Sequence, residues 1–154
     1  MSKFAGLSLP VDQTGKMKIL HPLTQQVMVD KDGKEAFIEF YSKDSQRART
    51  YLRNATQRKL DMRGRATVSA ASLETENFGL CAELTKSWYL VDLEGGKIDI
   101  ECTTVNAREL YADPATTWLY EQGDSFTAAR GNFLKPSATS SATLPSESSQ
   151  ASGS

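Results

Sequence analysis

The chain of 154 residues contains one histidine, two cysteines and five prolines. Nowhere does it carry the 18 or so consecutive apolar residues that a membrane-spanning helix needs. Met1-Ser-Lys-Phe leads into no apolar stretch of the kind that directs export. The expectation is therefore a reducing compartment, with Cys81 and Cys102 as thiols packed like small hydrophobes. One imidazole and two thiols, without carboxylates at ligand spacing, do not complete a zinc site. His21 precedes Pro22 in a turn-like segment, where holding the turn outweighs general-base work. Nucleophile elbows, zinc-protease helices and glycine-rich phosphate loops are all absent; Arg63-Gly64-Arg65 and Glu94-Gly95-Gly96 read as short turns. The chain is expected to be no enzyme and to hold no cofactor or metal. Charge of one sign is lacking too: 18 Lys and Arg face 19 Asp and Glu, a net of −1 that selects no partner.

What is present divides the chain in three. Residues 1–15, with Gly6, Pro10 and Gly15, read as an extended N-terminal arm. Residues 16–134 carry the core-forming pattern. Residues 135–154 hold eight serines and only four apolar positions, Ala138, Ala142, Leu144 and Ala151, so a disordered Ser-rich tail is expected. Within the core the apolar runs 17–20, 26–29 and 35–41 are separated by turn signals at His21-Pro22 and Asp32-Gly33. The period then becomes helical. Ser42 or Asp44 can cap a helix reaching Met62, with Ala48, Tyr51, Ala55 and Met62 on one face. A second helix after Ser72 carries Phe78, Cys81, Leu84 and Trp88 as its stripe. Residues 97–101 suit a short strand, Thr103 or Thr104 caps a helix through Tyr111, and Asp113-Pro114 signals a last helix bearing Trp118, Leu119, Phe126, Ala129 and Phe133. The fold class is α+β: a small N-terminal antiparallel β-meander followed by three or four packed α-helices.

Two features bear on partners. Between Ser42 and Arg65 the residues Lys43, Arg47, Arg49, Arg53, Arg58, Lys59, Arg63 and Arg65 stand against Asp44 and Asp61 only. A nucleic-acid surface is one reading of such a segment. The charges surround the helix, however, with Arg47, Arg58 and Arg65 on one side and Arg49 and Arg53 on another. No aromatic platform is interleaved for bases to stack on. A solvated face, docked on acidic protein, outweighs nucleic acid. The large aromatics come late, and Trp88, Tyr111 and Tyr120 are the ones least clearly assigned to the core. Trp and Tyr are favoured interface anchors, so these three join Arg47, Arg49, Arg53 and Arg58 as candidate partner-binding residues.

An ordered set of short motifs adds a family to this reading. His21-Pro22-Leu23-Thr24, then Phe37-Ile38-Glu39-Phe40 running into Ser42-Lys43-Asp44-Ser45 and the basic helix, resembles the opening of tail assembly chaperones of long-tailed bacteriophages. Trp88-Tyr89-Leu90-Val91, then 102–111 (Cys-Thr-Thr-Val-Asn-Ala-Arg-Glu-Leu-Tyr), Trp118–Gln122 and Arg130–Leu134 are similar to that family's later half. The likeness spans residues 20–134. It implies a non-enzymatic assembly factor of the host-cell cytoplasm, absent from the mature virion. Such a factor binds the long helical tape measure protein before tube subunits assemble around it. A C-terminal extension, appended in some relatives by a ribosomal frameshift, would recruit the tail tube protein. Self-association into a homo-oligomer is compatible with the resemblance; a membrane partner is not expected. The alternatives are a structural tail or head–tail component, and a nucleic-acid-binding regulator using residues 42–65.

Overall fold

Alternation sets the sheet. In Thr14–Lys18 (β1) the buried Met17 sits between exposed Lys16 and Lys18, and in Phe37–Tyr41 (β2) Ile38 and Phe40 are fully buried between half-exposed neighbours. The two strands pair antiparallel from Thr14 opposite Tyr41 to Lys18 opposite Phe37. The computed structural model describes residues 3–62 and 70–134; the expected tail at 135–154 and the Arg63-Gly64-Arg65 helix end lie outside them. Between β1 and β2 the chain doubles back through single bridges, Leu20 with Val27 and Val29 with Glu35. The expected strand at 26–29 is thus two bridges and not a ladder. Gly33, at φ 85°, makes its turn in backbone space that a side chain would resist.

Gln46–Asp61 forms α1, capped by Ser45 and not by Ser42 or Asp44. The Ser45 hydroxyl accepts from the Ala48 amide at 3.2 Å and donates to the Ser42 carbonyl at 2.6 Å. Asp12, from the N-terminal arm, accepts from the Gln46 amide at 2.8 Å and so satisfies a second orphan donor. Ala48 and Ala55 are buried and Tyr51 half-buried, as the apolar stripe requires, while Met62 is exposed. Ala70–Leu84 forms α2, and Thr85–Val91 continues from it directly as β3. Trp88 therefore belongs to a strand opposite Ile38 and not to the helical stripe of Phe78, Cys81 and Leu84. Asp92 and Gly95 then turn the chain into Lys97–Ile98 (β4), within the stretch expected to be a short strand.

The α+β class is as expected: among the described residues a four-stranded antiparallel sheet, ordered β1-β2-β3-β4, stands with four α-helices. Half of the sheet, though, follows the α1–α2 hairpin. Thr104–Ala112 forms α3, capped by Thr103, whose hydroxyl accepts from the Asn106 amide at 3.0 Å. Asp113 closes this helix instead of opening the next. Thr117–Ala128 forms α4, tied back by the Thr116 and Thr117 hydroxyls, which donate to the Leu110 and Tyr111 carbonyls at 2.6 and 2.8 Å. Phe133 lies beyond the end of α4 yet is buried edge-on against Phe126. Among the described residues no helix is long and apolar enough to cross a membrane.

α4 approaches the sheet closely at Gly123, where an added Cβ would lie 2.8 Å from the Phe40 ring and 3.3 Å from the Cys81 sulfur. Gly123→Ala gains up to about 1 kcal/mol of helix propensity but overpacks a fully buried ring at about 1–3 kcal/mol. The expected net is a loss of about 1 kcal/mol, read from the urea unfolding midpoint. Ser45→Ala removes the α1 cap and should cost about 1–2 kcal/mol in the same assay.

Candidate functional site

The seven candidate residues separate into distinct environments. Tyr111, expected as a partner anchor, is wholly buried and corrects that assignment. Its hydroxyl meets the Thr85 hydroxyl at 2.7 Å, and burial holds its pKa well above the phenolic value. Ala107 and Tyr111 stand one turn apart on α3, both fully buried, so the helical period marks Tyr111 as core. Tyr120 is half-buried and meets Phe78 edge-on, with ring centroids 4.9 Å apart. Desolvation, with the negative charge of Asp124 second, pushes its hydroxyl up to about 12. Trp88 is half-buried, and its indole N–H donates to the Ile100 carbonyl at 2.8 Å.

The arginines divide by the helix side they occupy. Arg47 is engaged within the fold: it pairs with Glu83 at 2.8 Å and its guanidinium lies 4.9 Å from the Tyr41 ring centre. Lys59 bridges to Glu76 at 3.1 Å from the other flank of the buried stripe, so α1 is clamped to α2 on both sides of its inner face. Arg58 belongs to the Arg47 side by helical phase. Arg49 and Arg53 lie one turn apart on the opposite, outward side. That side also carries Leu52, Thr56 and Leu60 in a row along α1, with Leu52 42% and Leu60 57% exposed. Arg49, Arg53 and Arg58 make no salt bridge among the described residues. Two arginines and two leucines therefore share one outward helix face, with Arg49 at its rim beside Asp44 and the N-terminal arm.

The outer face of the sheet is a second surface. Phe37, Tyr41 and Tyr89 are each roofed by a cation: Lys16 at 4.8 Å, Arg47 at 4.9 Å and Lys34 at 4.1 Å from the ring centre. Tyr89 donates to Asp30, which fastens the 30–34 turn across it. Glu39 lies amid these rings. The Thr14 hydroxyl donates to it at 2.6 Å, the Ser87 hydroxyl at 2.9 Å, and Lys86 stands 3.9 Å away. The Thr14 bond leads in holding its carboxyl below the usual value, against the opposing effect of burial.

The remaining chemistry-bearing groups serve structure. His21 Nδ1 accepts from the Leu23 and Thr24 amides at 3.1 and 3.4 Å, holding its own turn. Cys81 is buried, and desolvation pushes its thiol up to about 12; Cys102 is half-buried, and its thiol is raised by the same cause. Among the described residues no three His, Cys, Asp or Glu gather as a metal site would require. A groove of about 640 Å³ runs between β1 and α4, lined by Met17, Lys18, Leu20, Trp118 and Phe126 among others. On its floor the Gln122 amide accepts from the Leu20 N–H at 3.0 Å and donates to the Leu20 carbonyl at 2.8 Å. Sequence reading missed this clamp, since a half-buried Gln 102 residues away in sequence carries no local signal. Neither the family models nor the curated proteins nor the solved structures include a match to this chain. Fold and surface define a class: an α+β module with an uncovered Leu and Arg helix face and an open groove beside a sheet edge.

Because the Glu39 carboxyl titrates below its ordinary value in the folded chain, its contribution is present above about pH 4.5 and is lost as pH falls through the lowered pKa. Glu39→Gln stays neutral throughout. The stability advantage of the parent chain over this variant should be full at pH 6 and shrink steadily on acidification below 4.5, followed by denaturant titration at each pH.

Proposed function

We propose that this chain is a bacteriophage tail assembly chaperone that binds the tape measure protein, keeps it soluble and promotes tube assembly around it. The observation that carries this reading is the outward face of α1. A helix in a closed monomer needs only one apolar side, and α1 spends that side on Ala48, Ala55 and Tyr51. Its other side still presents Leu52 and Leu60, and near its end Met62 is 47% exposed. Lys59 on Glu76 brings the start of α2 alongside, where Leu73 is 45% exposed. Apolar residues repeated along one helical line fit the apolar stripe of another helix, and long helical proteins with uncovered stripes aggregate unless sheltered.

Arg49 and Arg53 supply the selectivity. They favour a stripe flanked by carboxylates, raise the rate of encounter and leave the apolar contact to hold the complex. The ordered motifs from His21 to Leu134 support the same family. The reading places the chain in the host cytoplasm and outside the finished virion, with any tail tube contact made through a C-terminal extension.

Co-expression with the tape measure protein of the same phage tests this. The tape measure protein should remain in the soluble fraction with the parent chain and precipitate when the chain carries Leu52→Asp with Arg53→Glu, a variant whose melting temperature should stay within a few degrees of the parent because both positions face solvent. Equal solubility with and without the chain overturns the proposal. Mass analysis of purified particles gives a second check, since a fixed copy number in mature tails would make the chain a structural component.

A further inference from the structure

We infer that the free edge of β1, with the groove beside it, accepts an extended peptide segment of a partner in which apolar and acidic residues alternate, added as a fifth strand. The inference stands apart from the α1 face and does not rest on the chaperone reading.

The direction of the backbone is the first argument. Ile19 donates its N–H to the Ala36 carbonyl at 3.1 Å, on the β2 side. Peptide groups alternate along a strand, so Met17 and Gly15 also aim at β2, while Lys16, Lys18 and Leu20 aim away from it. Leu20 confirms the phase, because both its backbone groups are taken on that far side by the Gln122 amide. The side-chain amide closes the edge at Leu20 as a neighbouring strand would. No such plug meets Lys16 and Lys18, whose outward backbone groups have no hydrogen-bond partner among the described residues. An edge of this kind is a template for pairing.

The side chains specify the occupant. A strand laid along β1 would turn alternate residues to the core side and the outer side of the sheet. On the core side they would meet the groove, where Trp118 and Phe126 are half-buried beside Met17. On the outer side they would lie beside Lys16, whose amine covers the Phe37 ring, and Lys18, which shares an exposed pair with Glu35 at 3.3 Å. Glu121 stands on the α4 wall of the groove, so carboxylates suit the lysine side alone. A second copy of β1 would set Lys16 and Lys18 against the same lysines, which is unfavourable. Residues 135–154 offer one carboxylate, Glu147, and one large apolar residue, Leu144, followed by Pro145, and do not supply the alternation.

The test uses the whole chain, labelled with ¹⁵N, and an end-blocked peptide of alternating valine and glutamate, about ten residues long so as to cover the edge. On saturation the Lys16 and Lys18 amides should become protected from hydrogen exchange while that of Met17, already paired, changes little. Lys18→Pro removes an outward donor without breaking the ladder to β2, so the fold should persist and affinity fall by at least about tenfold. Lys16→Glu with Lys18→Glu leaves the backbone intact and should weaken binding comparably, while a valine and lysine peptide should then bind in its place. Absence of protection at Lys16 and Lys18, or protection confined to α1, overturns the inference. So does protection already present in the free chain, whether lost on dilution, as for a second copy, or unchanged by it, as for residues 135–154.

Discussion

Thr85 sits where a helix becomes a strand with no loop between them, and most of the architecture depends on its hydroxyl. Thr85 Oγ1 donates to the Cys81 carbonyl at 2.8 Å, satisfying one of the last orphan acceptors of α2. Having spent its proton there, it accepts from the buried Tyr111 hydroxyl at 2.7 Å. One oxygen thus ends α2, starts β3 and ties α3 to the junction. The arrangement also settles the cost of burying a phenol, which would be about 1–3 kcal/mol without a partner. Since β3 pairs with β2 from Phe40 and Thr85 onward, the register of the late half of the sheet is fixed at this point. An irregularity follows at once, for Glu39 faces Ser87 while Phe40 faces Thr85, leaving Lys86 as the extra residue. That bulge puts the Lys86 amine beside Glu39 and the Tyr41 ring.

The two faces of the sheet consequently have different chemistry. Helices cover the face that carries Ile38 and Phe40, and α4 reaches it only because position 123 has no side chain. Among the described residues no helix lies across the other face, yet its rings are not left bare. Amines and a guanidinium lie over Phe37, Tyr41 and Tyr89, each contact contributing about 0.5–1 kcal/mol at exposed sites. Cations in those positions occupy the space in which bases would stack, and Glu39 and Asp30 place carboxylates among them. Such a face covers itself with its own charge. The outward side of α1 and the edge of β1 carry no such cover of their own among the described residues.

How much of this was legible depended on whether the signal was local. Thr103 before Ala107 and Tyr111 gives both the cap and the period of α3, and Ala48 with Ala55 gives the buried side of α1. The caps at α1 were misjudged by one to three residues because Ser42, Asp44 and Ser45 are all competent acceptors. The choice among them was made by the Ser42 carbonyl and by Asp12 from a distant segment. The run Thr85–Val91 is rich in β-branched and aromatic residues, a strand signal, but no glycine or proline separates it from α2, so Trp88 also continued the helical stripe. Asp113-Pro114 carries two meanings, helix start and turn. The hydroxyls of Thr116 and Thr117 decide for the turn by bonding back to α3. Of the candidate site, Arg49 and Arg53 were separable from Arg47 by helical phase alone. That Arg47 is consumed by Glu83 and Tyr41 depended on contacts 36 residues away and on the sheet, which no local pattern encodes.

A protein that holds a partner and later yields it needs a contact surface whose covering and uncovering leave its own fold unchanged. The outward side of α1 meets that condition because the helix is secured elsewhere: by Ser45 and Asp12 at its start, by buried alanines along its inner side, and by Arg47 and Lys59 on α2. Leu52 and Leu60 add little to the monomer, since exposed side chains contribute little to stability. Both are already about half-buried, so covering each against a partner would gain about 1 kcal/mol, and association would need further contacts along the same face, a hold that stays reversible once a competing surface offers more. In such a complex the arginines beside them would strengthen selection more than grip, because exposed pairs are screened by salt and contribute about 0–1 kcal/mol. Exchangeable binding on this surface would follow from having few apolar groups, each partly wet, on a helix whose inner side is secured without them.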